Sequence, residues 1–88
     1  MILEIITPEK TIYKGEVELV RVPGSKGSFA MKRNHQPIIS TLEPGIIKIV
    51  VSEKELFFEL LNPGVVEFHE NKIIILAENI KESISISI

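Results

Sequence analysis

The feature that most constrains this chain is its punctuation. Runs rich in isoleucine and valine are cut every few residues by turn-forming clusters: Pro23-Gly24 with Lys26-Gly27, Glu43-Pro44-Gly45, Ser52-Glu53-Lys54, Asn62-Pro63-Gly64 and Glu70-Asn71. The intervals leave room for strands of about four to eight residues and for no helix of useful length. β-Branched side chains suit such intervals, because they pack well on a pleated surface and lose rotamer freedom in a helix. The spacing predicts strands near residues 2–6, 11–13, 16–22, 28–31, 38–42, 46–52, 55–61, 65–68, 72–77 and 83–88. Ten short, mainly antiparallel strands predict an all-β fold, a flattened sandwich or barrel. Eighty-eight residues make one such domain, residues 1–88, burying roughly 60 to 70% of the surface of the unfolded chain.

The apolar pattern within the runs says which faces are buried. Ser83-Ile84-Ser85-Ile86-Ser87-Ile88 alternates strictly, as a strand with one solvated face does. In the run 55–61, Leu56, Phe58 and Leu60 share one face, while Phe57 and Leu61 lie with Glu55 and Glu59 on the other. The run 16–22 changes phase: Val17 and Leu19 have one parity, Val20 and Val22 the other, which predicts a bulge or burial on both sides. Residues 46–51 and 73–76 are apolar on both parities. The outer faces of a small two-layer sandwich normally meet water, so strands apolar on both sides predict a protein partner.

Composition excludes several functions. Ten basic residues against twelve acidic ones, with no long run of either sign, provide no footprint for nucleic acid or anionic lipid, and no aromatic stacking platform accompanies Lys32 and Arg33. Without cysteine there is neither a disulfide framework nor a thiolate ligand or nucleophile. Glu4 interrupts the apolar N-terminal stretch, which lacks the form of a secretion signal, and no run approaches the roughly 20 apolar residues of a membrane span. A soluble chain that reaches a membrane only through another protein is expected.

No residue set points to catalysis or to a cofactor. His35 and His69 lack the neighbouring ligands a metal site needs, and His69 reads as a turn residue. Gly24-Ser25-Lys26-Gly27-Ser28 has the residue types of a phosphate cradle but leads into Phe29-Ala30-Met31, an extended run, and not into a helix whose end amides could meet phosphate. It reads as a glycine-enabled turn with positive φ, as does Pro44-Gly45. The carboxylates are scattered and the serines have no nucleophile elbow, so the chain reads as a non-enzyme that binds no nucleotide.

The order of short motifs carries a resemblance. Thr7-Pro8-Glu9-Lys10, Tyr13-Lys14-Gly15, the glycine-serine-x-glycine turn within Val22-Pro23-Gly24-Ser25-Lys26-Gly27-Ser28-Phe29-Ala30-Met31, His35-Gln36-Pro37, Leu42-Glu43-Pro44-Gly45-Ile46-Ile47-Lys48-Ile49 and Leu76-Ala77-Glu78 follow one another along essentially the whole chain. In this order and spacing the chain resembles the epsilon subunit of bacterial ATP synthases. The resemblance implies a ten-stranded sandwich at the foot of the central stalk, packed on the gamma subunit and resting on the polar loops of the membrane rotor ring. It would transmit torque in a proton- or sodium-driven ATP synthase without binding or hydrolysing nucleotide. It would lie peripherally on the cytoplasmic face of the inner (plasma) membrane.

Carried over residue by residue, the resemblance assigns Lys26, Gly27, Ser28, Met31, Lys32, Arg33 and His35 to the rotor-ring contact. It assigns Gln36, Pro37, Ile38 and Ser40 to the gamma contact. The family often has glycine, proline and glycine where this chain has Ala30, Arg33 and Asn34, and a carboxylate where Ser28 stands. Lys26, Lys32 and Arg33 therefore favour a ring loop that offers carbonyls or carboxylates. Family members usually continue into a two-helix regulatory domain; here the sequence stops in its last expected strand, and the opening Met1 favours a natural end. The competing reading is a stand-alone β-sandwich binding module, for carbohydrate as an example.

Overall fold

The computed structural model describes residues 1–83. Ten strands follow in order: β1 (Ile2–Ile6), β2 (Thr11–Glu16), β3 (Leu19–Val22), β4 (Phe29–Lys32), β5 (Ile38–Leu42), β6 (Gly45–Val51), β7 (Lys54–Leu60), β8 (Gly64–His69), β9 (Lys72–Leu76) and β10 (Ile80–Ser83). They form two five-stranded sheets, the first in the order β2-β1-β9-β8-β5 and the second in the order β10-β7-β6-β3-β4. Every neighbouring pair is antiparallel except β1 and β9, which run parallel from Ile2 opposite Lys72 to Ile6 opposite Leu76. The expected strand over 83–88 lies outside the described residues apart from Ser83, and the tenth strand begins earlier, at Ile80.

One core lies between the sheets. Leu3, Ile5, Val66, Phe68, Ile73 and Ile75 come from the first sheet, and Val20, Val22, Met31, Ile47, Ile49, Phe58 and Leu60 from the second. Each is at most 3% exposed, and a fully buried side chain of this size contributes about 1.5–3 kcal/mol of transfer free energy. Alternation follows the pleat: β1 exposes part of Ile2, Glu4 and Ile6 while burying Leu3 and Ile5.

The phase change in 16–22 has a different cause from a bulge. β2 ends at Glu16 in the first sheet and β3 starts at Leu19 in the second, so the chain changes layer at Val17 and Glu18. The Val17 N–H donates to Met1 O at 2.9 Å and the Glu18 N–H to Val50 O at 2.8 Å, so consecutive amides are satisfied by opposite sheets. Two strands of opposite parity meet there, and Val17 is buried at the corner.

The two ends of the sandwich are built from different chemistry. At one end, β6–β7 and β8–β9 are joined by the two-residue loops Ser52-Glu53 and Glu70-Asn71, all four residues having φ between 47° and 63°. Two successive positive φ values define a type I′ turn, whose twist matches the flanking strands. Asn34, with φ 66°, is at the same end: its N–H donates to Asn71 Oδ1 at 2.7 Å and its Oδ1 accepts from Asn71 Nδ2 at 3.1 Å. The opposite end carries Pro8, Pro23, Pro44 and Pro63 and the connections 7–10, 23–28, 43–44 and 61–63. There Gly27 has φ 122°, while a Cβ on Gly24 would fall 2.6 Å from Gly27 O and 2.8 Å from the Phe29 ring. Gly45 corrects the expectation for Pro44-Gly45: its φ is not positive, and a Cβ there would meet Pro23 Cβ at 3.0 Å. Gly45 is a close-packing position.

Candidate partner-binding surfaces

The outer face of the first sheet is apolar where a free sandwich would be polar. Strand register sets Ile6, Leu76 and Val65 side by side across β1, β9 and β8, and places Ile74 and Ile39 in the next row with Glu4 and Glu67. Ile39 is 73% exposed and Leu76 51%. At the proline-rich end this face sinks into a trough of about 400 Å³ between Ile6, Pro8, Pro63, Val65 and Leu76. Its main polar feature is Glu4, which sits between Lys72 and Lys14, with Nζ atoms 3.6 and 3.8 Å from Oε1. The outer face of the second sheet is more charged, with Lys48 paired to Glu55 at 2.9 Å beside Phe57, Arg21 and Glu59.

The residues assigned to the ring contact do not form one patch. Lys26, Gly27 and Ser28 form the exposed turn at the proline-rich end, whereas Lys32 closes β4 at its other end and Arg33 and His35 follow it. Four residues of extended strand separate the groups by about 13 Å. Met31 is fully buried in the core, because its parity on β4 faces the first sheet, so its side chain is unavailable as a contact. His35 is half-buried, its ring edge-on to Phe68 at 5.4 Å between centroids and its Nδ1 2.7 Å from Gln36 O.

The gamma-contact assignment divides by parity. Gln36 and Pro37 are exposed. On β5, Ile38 and Ser40 lie opposite Phe68 and Val66, whose side chains are buried, so they belong to the inner set and are only partly accessible. The outward residues are Ile39 and Thr41. Leu76 belongs to the run 73–76 whose two-sided apolar pattern predicts a partner face, whereas Ile6, Ile39 and Val65 were not singled out, because their shared outward direction depends on strand pairing. His69 ends β8 and is exposed, one residue before the turn. Among the described residues, no three His, Asp or Glu side chains converge as metal ligands.

The two five-stranded sheets make the chain a β-sandwich domain with exposed apolar residues on its outer surface. The family model for the beta-sandwich domain of the ATP synthase delta/epsilon chain matches residues 1–83, and the chain belongs to that family. Curated relatives called ATP synthase epsilon chain are 43% identical over 76 residues in Sulfurimonas denitrificans and 41% identical over 88 residues in Leptospira interrogans. These alignments cover 86% and 98% of this chain, and 58% and 68% of the relatives. Two solved assemblies contain the same fold. The Euglena gracilis mitochondrial ATP synthase OSCP/F1/c-ring matches with TM-score 0.86 at 18% identity, covering 93% of this chain and 52% of that one. The Tetrahymena thermophila mitochondrial ATP synthase central stalk/c-ring matches with TM-score 0.78 at 20% identity, covering 91% and 64%.

Proposed function

We propose that this chain is a non-catalytic connector in the central stalk of a rotary ATP synthase, joining the gamma subunit to the membrane rotor ring and passing torque between them. The observation that carries this reading is the apolar outer face of the first sheet, in a chain of the ATP synthase delta/epsilon family. A row with Leu76 and Val65 exposed beside half-buried Ile6 is costly in water and is expected to be covered in the working assembly. A close-packed sandwich is also a stiff body, as a torque link requires. The turn at Lys26, Gly27 and Ser28 is read as the ring-facing element, and Gln36, Pro37 and Ile39 as part of the gamma side. On this reading the domain lies peripherally at the cytoplasmic face of the inner membrane, in an enzyme driven by proton or sodium flow.

The carbohydrate-module reading loses support from the aromatic residues. Phe58 and Phe68 are buried, Tyr13 packs edge-on to Phe58 at 6.1 Å between centroids, and Phe29 and Phe57 are partly covered. None offers an open stacking platform. Size-exclusion chromatography of the chain with and without a matching gamma subunit, followed by an ATPase assay of the reconstituted head, tests the proposal. Co-elution without strong inhibition is expected. Separate elution under conditions that assemble the other subunits would overturn it.

A further inference from the structure

The connection 33–37 carries the chain from β4, at the edge of the second sheet, to β5, at the edge of the first. It ends in the exposed Gln36 and Pro37 and lies outside the ladders of both sheets. A distant residue holds it. Asn34 N–H donates to Asn71 Oδ1 at 2.7 Å, and Asn71 Nδ2 donates to Asn34 Oδ1 at 3.1 Å, so one side chain grips residue 34 at two points. From there the order passes along the loop: His35 N–H closes on Lys32 O at 3.1 Å, the His35 ring lies edge-on to Phe68, and its Nδ1 donates to Gln36 O at 2.7 Å.

This grip runs against what the turn itself prefers. Asn71 is the second residue of a type I′ turn with φ 58°, a position where glycine is favoured. Asparagine bears that conformation less easily than glycine, and what it adds is the side chain that reaches Asn34. The sister turn Ser52-Glu53 likewise has two positive φ values, but its tie is made by backbone, Ser52 N–H donating to Glu18 Oε1 at 3.3 Å. Its second residue, Glu53, is exposed, whereas Asn71 is half-buried.

We infer that Asn71 is a positioning residue for the gamma contact: through Asn34 it fixes the 33–37 loop, so that Gln36 and Pro37 are in place before the partner arrives. The inference rests on the central-stalk reading, which gives Gln36 and Pro37 to the gamma side, and adds a residue outside that contact. A five-residue connection free to move would be competent to bind for only part of the time, and the apparent Kd would rise as that fraction falls. A loop held in advance avoids this loss. The signature is kinetic: loosening the loop slows association, whereas removing a direct contact speeds dissociation.

The test uses three variants of the full 88-residue chain. Asn71→Gly removes both side-chain bonds and suits the positive φ, so the turn survives. Asn71→Asp keeps an acceptor for Asn34 N–H, and the Asn34 amide can turn its NH2 toward the new carboxylate to restore the second bond. Glu53→Gly makes the glycine change at the matching position of the sister turn. Hydrogen exchange of the isolated chains is expected to be faster at the Asn34 amide in Asn71→Gly and to remain slow in Asn71→Asp. Against purified gamma subunit, Asn71→Gly is expected to lower the association rate about fivefold or more, with dissociation within about twofold of wild type. Asn71→Asp and Glu53→Gly should stay within about twofold in both rates. Unchanged exchange in Asn71→Gly, or normal association despite faster exchange, would overturn the inference. So would faster dissociation at an unchanged association rate, which would make Asn71 a direct contact. A wild-type chain that fails to bind gamma at all defeats the stalk reading and the inference with it.

Discussion

Two glycines three residues apart occupy the same turn for different reasons. Gly27 has φ 122° with open space where a Cβ would be, so the obstacle to a side chain is backbone conformation. Gly24 has an ordinary φ, but its Cβ would strike Gly27 O. Gly27→Ala is expected to cost roughly 1–2 kcal/mol in urea unfolding, and Gly24→Ala more, because a backbone oxygen must move. Gly45→Ala should cost less than either, since its neighbour is the edge of the Pro23 ring. At Met31 the alternatives differ in kind: a core residue truncated to alanine loses about 2–4 kcal/mol, whereas a surface contact would leave the melting curve in place. Thermal melting of Met31→Ala decides, and a large drop is expected. The sequence revealed the residue types at these positions but not their direction, because Met31 and Ile39 look equally apolar until strand parity is known.

At the scale of elements, the two type I′ turns are built from residues that do not favour them. Ser52-Glu53 and Glu70-Asn71 place non-glycine residues at positive φ, where Asn-Gly is the preferred pair. Glu53→Gly should therefore stabilise the chain by about 0.5–1 kcal/mol in urea unfolding. Asn71→Gly should not, because it removes both side-chain hydrogen bonds to Asn34. Strand existence was legible nearly throughout, since turn clusters and β-branched runs mark it locally. Two stretches were not: the tenth strand begins at Ile80, before the expected start at 83, and 16–22 looks locally like a single strand out of phase because the chain crosses from one sheet to the other at Val17 and Glu18. Likewise, the proposed ring residues flank both ends of β4, and sequence proximity concealed the strand length between them.

Across the whole molecule, the apolar outer face of the first sheet is where a partner contact is expected. Leu76→Lys lies on the outer face of the first sheet and is 51% exposed in the isolated chain. It should change stability by no more than about 0.5 kcal/mol while weakening co-elution with the gamma subunit. Unimpaired co-elution would show that this face is covered by something else or by nothing. The sequence anticipated the excess of apolar residues, but gathering Ile6, Leu76, Val65 and Ile39 on one face required the order β2-β1-β9-β8-β5, which no local pattern contains, while Ile46 is exposed on the other sheet.

That order also bears on how the molecule is made. β1 leaves the ribosome first, yet its parallel neighbour is β9, and the central strands of the first sheet cannot pair until residues 72–76 have emerged. Until then β1, which carries Leu3 and Ile5, has a sheet neighbour on one side only, β2. Such long-range pairing incurs its loop-closure entropy before any contact returns it, so folding should be late, cooperative and on the millisecond-to-second scale of non-local β proteins. Nascent chains cut short before residue 72 should remain open to protease, and protection should arrive in one step once β9 is free to enter between β1 and β8.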